Sequence, residues 1–590
     1  MNSESQSLTT ITLDGAWQFR KDSARVGLSE RWYEGPFDGA GWMEVPVPRY
    51  WEGYPTMNSY DGWGWFARSF VCDKPGAYQS AYFAGVDDDA TVWINGTEVG
   101  SHTGYSDPFG LDISGHLRKG TNSIVVLVND NGGGGGIYKP ISIVAKGELE
   151  KLLRGPYSSK QARQSAPWVR DAVMYCVYLR SFSPEGTFAG LERRLSEIRD
   201  LGATVIWLMP VHPVGLKHRK GSLGSPYSVQ DFYGVNPEFG SMDDFKHLLR
   251  AVHEQGLKLI IDLVINHTAW DNRLITDHPE WYAKDDDGKI IPPNPDWSDV
   301  ADLDYSEVGL RTYMSDMMTW WVKDVGIDGF RCDVAEMVPT DFWNTVRKRL
   351  DAIKPVMMLS EGTLPEHHVT AFDLTYSWNV YDALAPLLDG KRSPVILDQI
   401  LRNEKLQFPR GSMRMRFNTN HDKNAWDAPA VKKFGPDGLR LSTVLVNTIP
   451  GIPLIYNGEE VANDRVLGLF EKVSIDWSRP PLQRELLTML HSLRKENPAL
   501  REGEFTKIPT DQDSLVFAFA RQHRGNQVVV VLNFSRKDVA VNALPAAGAG
   551  SGKNIRYREV LSSSPAKSDI LAPGTIELEP RGFRIYRREK

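Results

Sequence analysis

The groups in this chain that are able to act as acid, base or nucleophile gather where short apolar runs end. Leu257-Lys-Leu-Ile-Ile-Asp-Leu-Val-Ile265 leads into Asn266-His267, and the short Ile327-Asp-Gly-Phe330 leads into Arg331-Cys332-Asp333. Val356-Met-Met-Leu359 leads into Ser360-Glu361, and Met413-Arg-Met-Arg-Phe417 into Asn418-Thr-Asn-His421-Asp422. Taken singly, an acidic residue after a strand is more often the N-cap of the next helix, and an isolated histidine is more often structural. Taken together, the four endings bring Asp333, Glu361 and Asp422, with His267, His421 and Arg331, to one face. Arg331 stands two residues before Asp333, so in an extended strand both point the same way and the guanidinium favours the ionised carboxylate.

Such a cluster needs elements that deliver strand ends to one place. Apolar runs at 172–178, 204–209, 257–264, 356–359 and 452–456 alternate with helical patterns such as Leu191-Glu-Arg-Arg-Leu-Ser-Glu-Ile198. Buried strands alternating with helices predict a parallel (β/α)8 barrel, a TIM barrel, with its chemistry past the C-terminal strand ends. The barrel is expected over residues 171–500, with a short excursion at about 267–304. Before it, residues 8–145 alternate in short runs, such as Ala90-Thr-Val-Trp-Ile94 followed by Asn95-Gly96, which predict hairpins and a β-sandwich. The glycine run 132–136 is read as a loop, and residues 146–170, basic and polar, as a linker carrying one short helix. Residues 501–590 return to strands, as in Gln527-Val-Val-Val-Val-Leu532, and predict a C-terminal β-sandwich without chemistry of its own.

Composition narrows the function. The 590 residues are 41% hydrophobic and 24% charged, the proportions of a folded protein, and a net charge of -7 offers no bulk positive field for nucleic acid. Three scattered cysteines, Cys72, Cys176 and Cys332, make neither a disulfide framework nor a zinc site. The first ten residues lead into no apolar signal core, and no run reaches the roughly 20 apolar residues of a membrane span, so a cytoplasmic protein with no membrane partner is expected.

Asp262-Leu-Val-Ile-Asn-His267, Gly329-Phe-Arg-Cys-Asp333, Ser360-Glu361 and Asn418-Thr-Asn-His-Asp422 resemble, in order, the four signature regions of the α-amylase family of glycoside hydrolases. Leu201-Gly-Ala-Thr-Val-Ile-Trp-Leu-Met-Pro210, the stretch from Tyr227 to Gly240, Ala301-Asp-Leu-Asp304 and Gly451-Ile-Pro-Leu-Ile-Tyr-Asn-Gly-Glu459 are similar to further family motifs. The resemblance implies that Asp333 is the nucleophile, Glu361 the general acid and base, and Asp422 the carboxylate that grips sugar hydroxyls. It also implies that His267 and His421 hydrogen-bond the sugar, that Tyr227 stacks beneath it, and that Arg331 orients Asp333.

Two departures qualify it. Where many amylases carry Lys-His after the nucleophile, this chain has Glu336-Met337, so Glu336 is the expected contact to sugars on the leaving-group side. The resemblance leaves calcium open, with Asn266 as its candidate ligand, while no cofactor is required for the chemistry; Asp285-Asp-Asp-Gly288 is read as a solvated turn. Leu13-Asp-Gly-Ala-Trp-Gln-Phe19, Trp93-Ile-Asn-Gly96 and Asn122-Ser-Ile-Val125 resemble a galactose-binding-like jelly roll, in which Trp63 and Trp65 are either a stacking platform or core. The expected function is a retaining hydrolase of α-1,4-linked maltooligosaccharides, cyclodextrins or related α-glucans. The alternatives are an α-glucan transglycosylase using the same site and a non-catalytic sugar-binding protein, and the oligomeric state stays open.

Overall fold

The computed structural model describes residues 10–58, 60–104, 108–130, 132, 134–542, 557–564 and 575–589. Residues 1–9, on which the targeting expectation rests, and Gly133 in the glycine run lie outside the described residues. The chain divides into two compact units, Met1–Ser158 with Ile396–Phe408, and Ser159–Val395 with Pro409–Lys590.

In the first unit a four-stranded and a six-stranded antiparallel sheet share one core, which includes Trp17, Phe19, Trp51, Phe66, Phe83 and Ile124. The strands Asp89–Ile94 and Thr97–Thr103 join through Asn95 and Gly96, both at positive φ (51° and 79°), the turn whose twist matches paired strands. Trp65 is fully buried and donates its indole N–H to Asp22 at 3.0 Å, so it fills core, while the half-buried Trp63 packs against the same cluster. Within the linker the helices are two, Leu149–Leu153 and Pro167–Arg170, rather than one. Residues 396–408 join this unit although they lie between barrel strands in sequence; Leu406 accepts from the Gly155 N–H at 3.0 Å, and Asn403 donates to the Pro108 carbonyl at 3.2 Å.

The second unit holds a closed parallel barrel of eight strands. In order they are Met174–Val177, Val205–Leu208, Lys258–Leu263, Gly329–Cys332, Met357–Ser360, Leu374–Tyr376, Met413–Arg416 and Ile452–Tyr456. Strands of this kind are covered on both faces, which is why Val205–Leu208 reads as an unbroken apolar run and is buried throughout. The pairing register sets Asp262 level with Arg331, and Arg331 level with Leu359, so a buried acid and a buried base become lateral neighbours. Gly329 lets the fourth strand approach the fifth: a Cβ there would lie 1.9 Å from the Met357 carbonyl oxygen.

The outer helices bury one face each, as Met242–Glu254 does with Phe245, Leu248, Leu249 and Val252 at helical spacing. Its start is a capping box, in which Ser241 Oγ accepts from the Asp244 N–H at 3.2 Å and Asp244 accepts from the Ser241 N–H at 2.8 Å. Ser241→Ala is expected to cost about 1 kcal/mol of stability, read as a lower urea midpoint at unchanged slope. An unmoved midpoint would show that the cap does not hold this helix.

The C-terminal strands form a five-stranded and a two-stranded sheet on one core, where Val539, Val541, Ile576 and Leu578 meet Ile508, Val516, Val529 and Val531. Among the described residues no helix is long and apolar enough to cross a membrane.

Candidate active site

Arg331, in the middle of the fourth barrel strand, is fully buried, and the site is organised around it. Its Nη1 lies 2.7 Å from both Asp262 Oδ1 and Asp333 Oδ1, its Nη2 lies 2.6 Å from Glu361 Oε1, and its Nε donates to the Tyr376 hydroxyl at 3.2 Å. The Glu361 contact is an ion pair off the hydrogen-bonding direction, whereas the Asp262 and Asp333 contacts are aligned hydrogen bonds. Asp262, which takes no exposed surface, also accepts from the Trp207 indole at 3.3 Å and the Tyr227 hydroxyl at 3.2 Å.

The two candidate catalytic carboxylates are further tied through the backbone. Val334, the residue after Asp333, is held at φ 35° and ψ 46°, left-handed space that a β-branched residue adopts at a cost of about 1–3 kcal/mol. In that conformation its N–H donates to Glu361 Oε2 at 2.8 Å.

Burial pushes the Glu361 carboxyl up to about 8; Arg331 opposes the rise, and the negative charges of Asp333 and Asp422 add to it. One edge of the Glu361 side chain, 16% exposed, still meets the cleft, so the group is desolvated yet reachable. Asp262 is pushed up to about 7, by burial above all, against the pull of Arg331. Burial lowers His421 to about 4 and lowers His267 as well, so both imidazoles are neutral near pH 7. His421 Nε2 is 2.6 Å from the Tyr227 hydroxyl and 3.3 Å from Asp422 Oδ2, a polar link between the loops after the second and seventh strands.

These groups open onto a cleft of about 430 Å³, lined by Tyr227, His267, Asp333, Glu361 and Asp422, with Trp297, Trp426 and Phe470 as aromatic walls. Hydrophobic walls around a few convergent polar groups suit an amphipathic ring such as a sugar. The model of the α-amylase catalytic domain matches residues 159–503, more than half of the chain. The chain belongs to the α-amylase family of glycoside hydrolases. A second family model, the sugar-binding domain of glycosyl hydrolases family 2, matches residues 11–136.

Among solved structures, the maltogenic α-amylase AmyB of Thermotoga neapolitana is 32% identical, with a TM-score of 0.63 over 71% of this chain and 97% of that one. The α-amylase MalA of Haloarcula japonica is 27% identical over 425 residues, 68% of this chain and 61% of that protein's length. A cyclomaltodextrinase of Thermoanaerobacter pseudethanolicus is 24% identical over 439 residues, 65% of this chain and 74% of that protein.

In this α-amylase-family protein the residues singled out from sequence fall into two layers. Tyr227, His267, Asp333, Glu361 and Asp422 reach the cleft. Arg331 and His421, at 0% and 1% exposure, lie just beneath it, Arg331 against Asp262, Asp333 and Glu361, and His421 against Tyr227 and Asp422. Glu336 is not among the residues that line this cleft. Its carboxylate accepts from the backbone N–H of Thr363 and, at 2.9 Å, from that of Leu364, because Gly362, at φ +156° and without a side chain, lets it close over the loop after the fifth strand. That carboxylate braces the loop carrying Glu361.

Asn266, the candidate calcium ligand, is buried with its amide 3.4 Å from His267 Nδ1, and among the described residues no three His, Cys, Asp or Glu side chains converge to hold a metal ion. Asp285 instead closes an exposed turn, accepting from the N–H groups of Asp287 and Lys289.

Sequence reasoning passed over Asp262 as a site residue, although a carboxylate inside an apolar run is itself a signal, since a buried charge must be paired. It also passed over Tyr376, Lys220, Trp297, Trp426 and Phe470. Tyr376 ends the sixth barrel strand and Trp426 sits in the helical turn Lys423–Asp427, while Lys220, Trp297 and Phe470 lie on loops, where no periodicity marks them.

Proposed function

We propose that this enzyme hydrolyses α-1,4 bonds in maltooligosaccharides, cyclodextrins or related α-glucans with retention of configuration, through a covalent glycosyl-enzyme. The observation that carries the reading is the pair Asp333 and Glu361 on the two terminal nitrogens of one guanidinium. Retaining glycosidases need their carboxyl groups about 5 to 5.5 Å apart, one to attack and one to donate a proton. Asp333, facing Nη1 in an aligned hydrogen bond, is the nucleophile, while Glu361, whose proton burial holds to about pH 8, is the acid.

When the glycosidic oxygen leaves, it takes the Glu361 proton as Asp333 bonds to the anomeric carbon. Glu361, now ionised, then takes a proton from water as that water's oxygen displaces Asp333. Asp422 and His267 hold the sugar hydroxyls, and Tyr227 supports the ring. We assign no cofactor to these steps, because nucleophile and proton both come from side chains. Three cysteines that are all free and buried suit a reducing compartment such as the cytoplasm.

The test is product analysis by chromatography and proton NMR with maltooligosaccharides, a cyclodextrin and pullulan. Initial products in the α-anomeric form support the reading, and β-anomers from the first turnover would refute retention. Products longer than the substrate, formed at the expense of hydrolysis, would move the assignment to the transglycosylase alternative.

A further inference from the structure

We propose that residues 220–224 form a strap that closes the glycone end of the cleft, so that the enzyme releases one or two sugar units from the non-reducing ends of chains. The inference rests on the proposed α-glucan hydrolysis, adds where on the chain it occurs, and narrows the substrates to those with a free non-reducing end, linear maltooligosaccharides before cyclodextrins. The strap belongs to the loop after the second barrel strand and is anchored on both sides. Lys220 Nζ lies 2.9 Å from Asp299 Oδ1 and donates to the Asp296 carbonyl at 2.8 Å, both on the loop after the third strand. Ser222 donates its N–H to Glu471 Oε1 at 2.8 Å and its hydroxyl to Glu471 Oε2, while the Leu223 N–H reaches the Phe470 carbonyl at 3.0 Å. Those partners lie on the loop after the eighth strand.

Beneath the strap, Arg180 is 1% exposed and holds both loops at once. Its Nη1 donates to the carbonyls of Gly224 at 2.7 Å and Leu469 at 3.1 Å, its Nη2 to that of Leu223 at 2.9 Å, and its Nε pairs with Glu238 at 3.0 Å. A guanidinium fixed by four such partners holds the loops in one arrangement. Gly221, at φ +62°, passes so close to Phe470 that a Cβ would lie 2.6 Å from the Phe470 Cβ, so the segment is shaped to this contact.

The ring of strands gives the strap its functional side. It spans the rim from the third strand's loop to the eighth's, across the barrel from the fifth strand, which carries Glu361. The leaving group must lie where Glu361 protonates it, so the sugars on the strap's side are the glycone. Lys220 and Leu469, together with Trp297, Asp299 and Phe470, line the cleft there. Lys220 has three N–H donors and uses two on the neighbouring loop, which leaves one for a terminal sugar hydroxyl.

The test uses the full-length enzyme and maltoheptaose labelled at its reducing end. Wild type is expected to give glucose or maltose and a labelled remainder shortened by one or two units in the first turnovers. Ser222→Ala/Glu471→Ala removes the side-chain part of the anchor to the eighth-strand loop without altering a residue that lines the cleft. It should raise early release of maltotriose and longer fragments about fivefold, while kcat/KM on a small aryl α-glucoside stays within about threefold. Lys220→Met, which cuts the other anchor, should lengthen the products in the same sense and serves if the double variant does not fold. Internal cleavage by wild type, or folded variants with unchanged product length, would overturn the strap while leaving hydrolysis standing. A protein inert towards maltoheptaose and the aryl glucoside alike would refute the function, and the strap with it.

Discussion

Glu361→Gln is expected to lower kcat on maltooligosaccharides by about 10²- to 10⁴-fold, and Asp333→Asn by at least as much, with the fold retained in both. Both substitutions keep the side-chain volume and remove, respectively, the proton donor and the attacking charge. Leaving-group chemistry separates the two roles. A glucoside whose aryl leaving group departs without a proton should restore most of the bond-breaking rate in Glu361→Gln and none of it in Asp333→Asn. The pH profile supplies a second sign. Glu361 must be protonated when substrate arrives, so kcat/KM should fall as pH rises through about 8, the value to which burial lifts this carboxyl. Glu361→Gln has nothing left to titrate there and should lose that limb. Near-native activity of either variant, in a preparation free of host amylase, would refute the assignment.

The parts of this architecture that were readable in the sequence are those in which burial and periodicity coincide. The apolar runs around Val205–Leu208 and Lys258–Leu263 stand out because both faces of a barrel strand are covered. Leu374–Tyr376 does not, since three residues, one of them Thr375, are too few to show a pattern. Asp333, Glu361 and Asp422 were readable because chemistry needs those residue types just past a strand end. The second layer was readable only in part: Arg331 two residues from Asp333 implied its pairing, but the pairing of Arg331 with Asp262 depends on the lateral register of two strands far apart in sequence. Glu336 shows the opposite limit. Its position after the nucleophile suggested a sugar contact, but its bonds to the Thr363 and Leu364 N–H groups depend on the path of the loop at Gly362, which no spacing announces. The strap is invisible to pattern altogether, because it is a set of contacts among three loops.

Removal of Arg331 is expected to produce the largest combined loss of stability and activity. Arg331→Met fills most of the space but leaves Asp262, with no exposed surface, without its cation. Breaking a buried ion pair by deleting one partner costs about 3–5 kcal/mol, and urea unfolding at pH 7 should show a loss of that order. A fall in kcat of about 10³-fold is expected on top, because one guanidinium orients both Asp333 and Glu361. Arg331→Lys keeps the charge, but a single ammonium cannot present the fork that reaches Asp262, Asp333, Glu361 and Tyr376 together, so it should recover stability more than rate. The sign of the pH shift distinguishes electrostatic positioning from simple loosening. Arg331 favours the ionised form of Glu361, so its loss should raise that carboxyl further and move the alkaline limb of the residual activity to higher pH. A core variant chosen for equal destabilisation, such as Trp321→Ala outside the cleft, should leave the limb in place. An unmoved limb in Arg331→Met would show that Arg331 holds the fold together without tuning the acid.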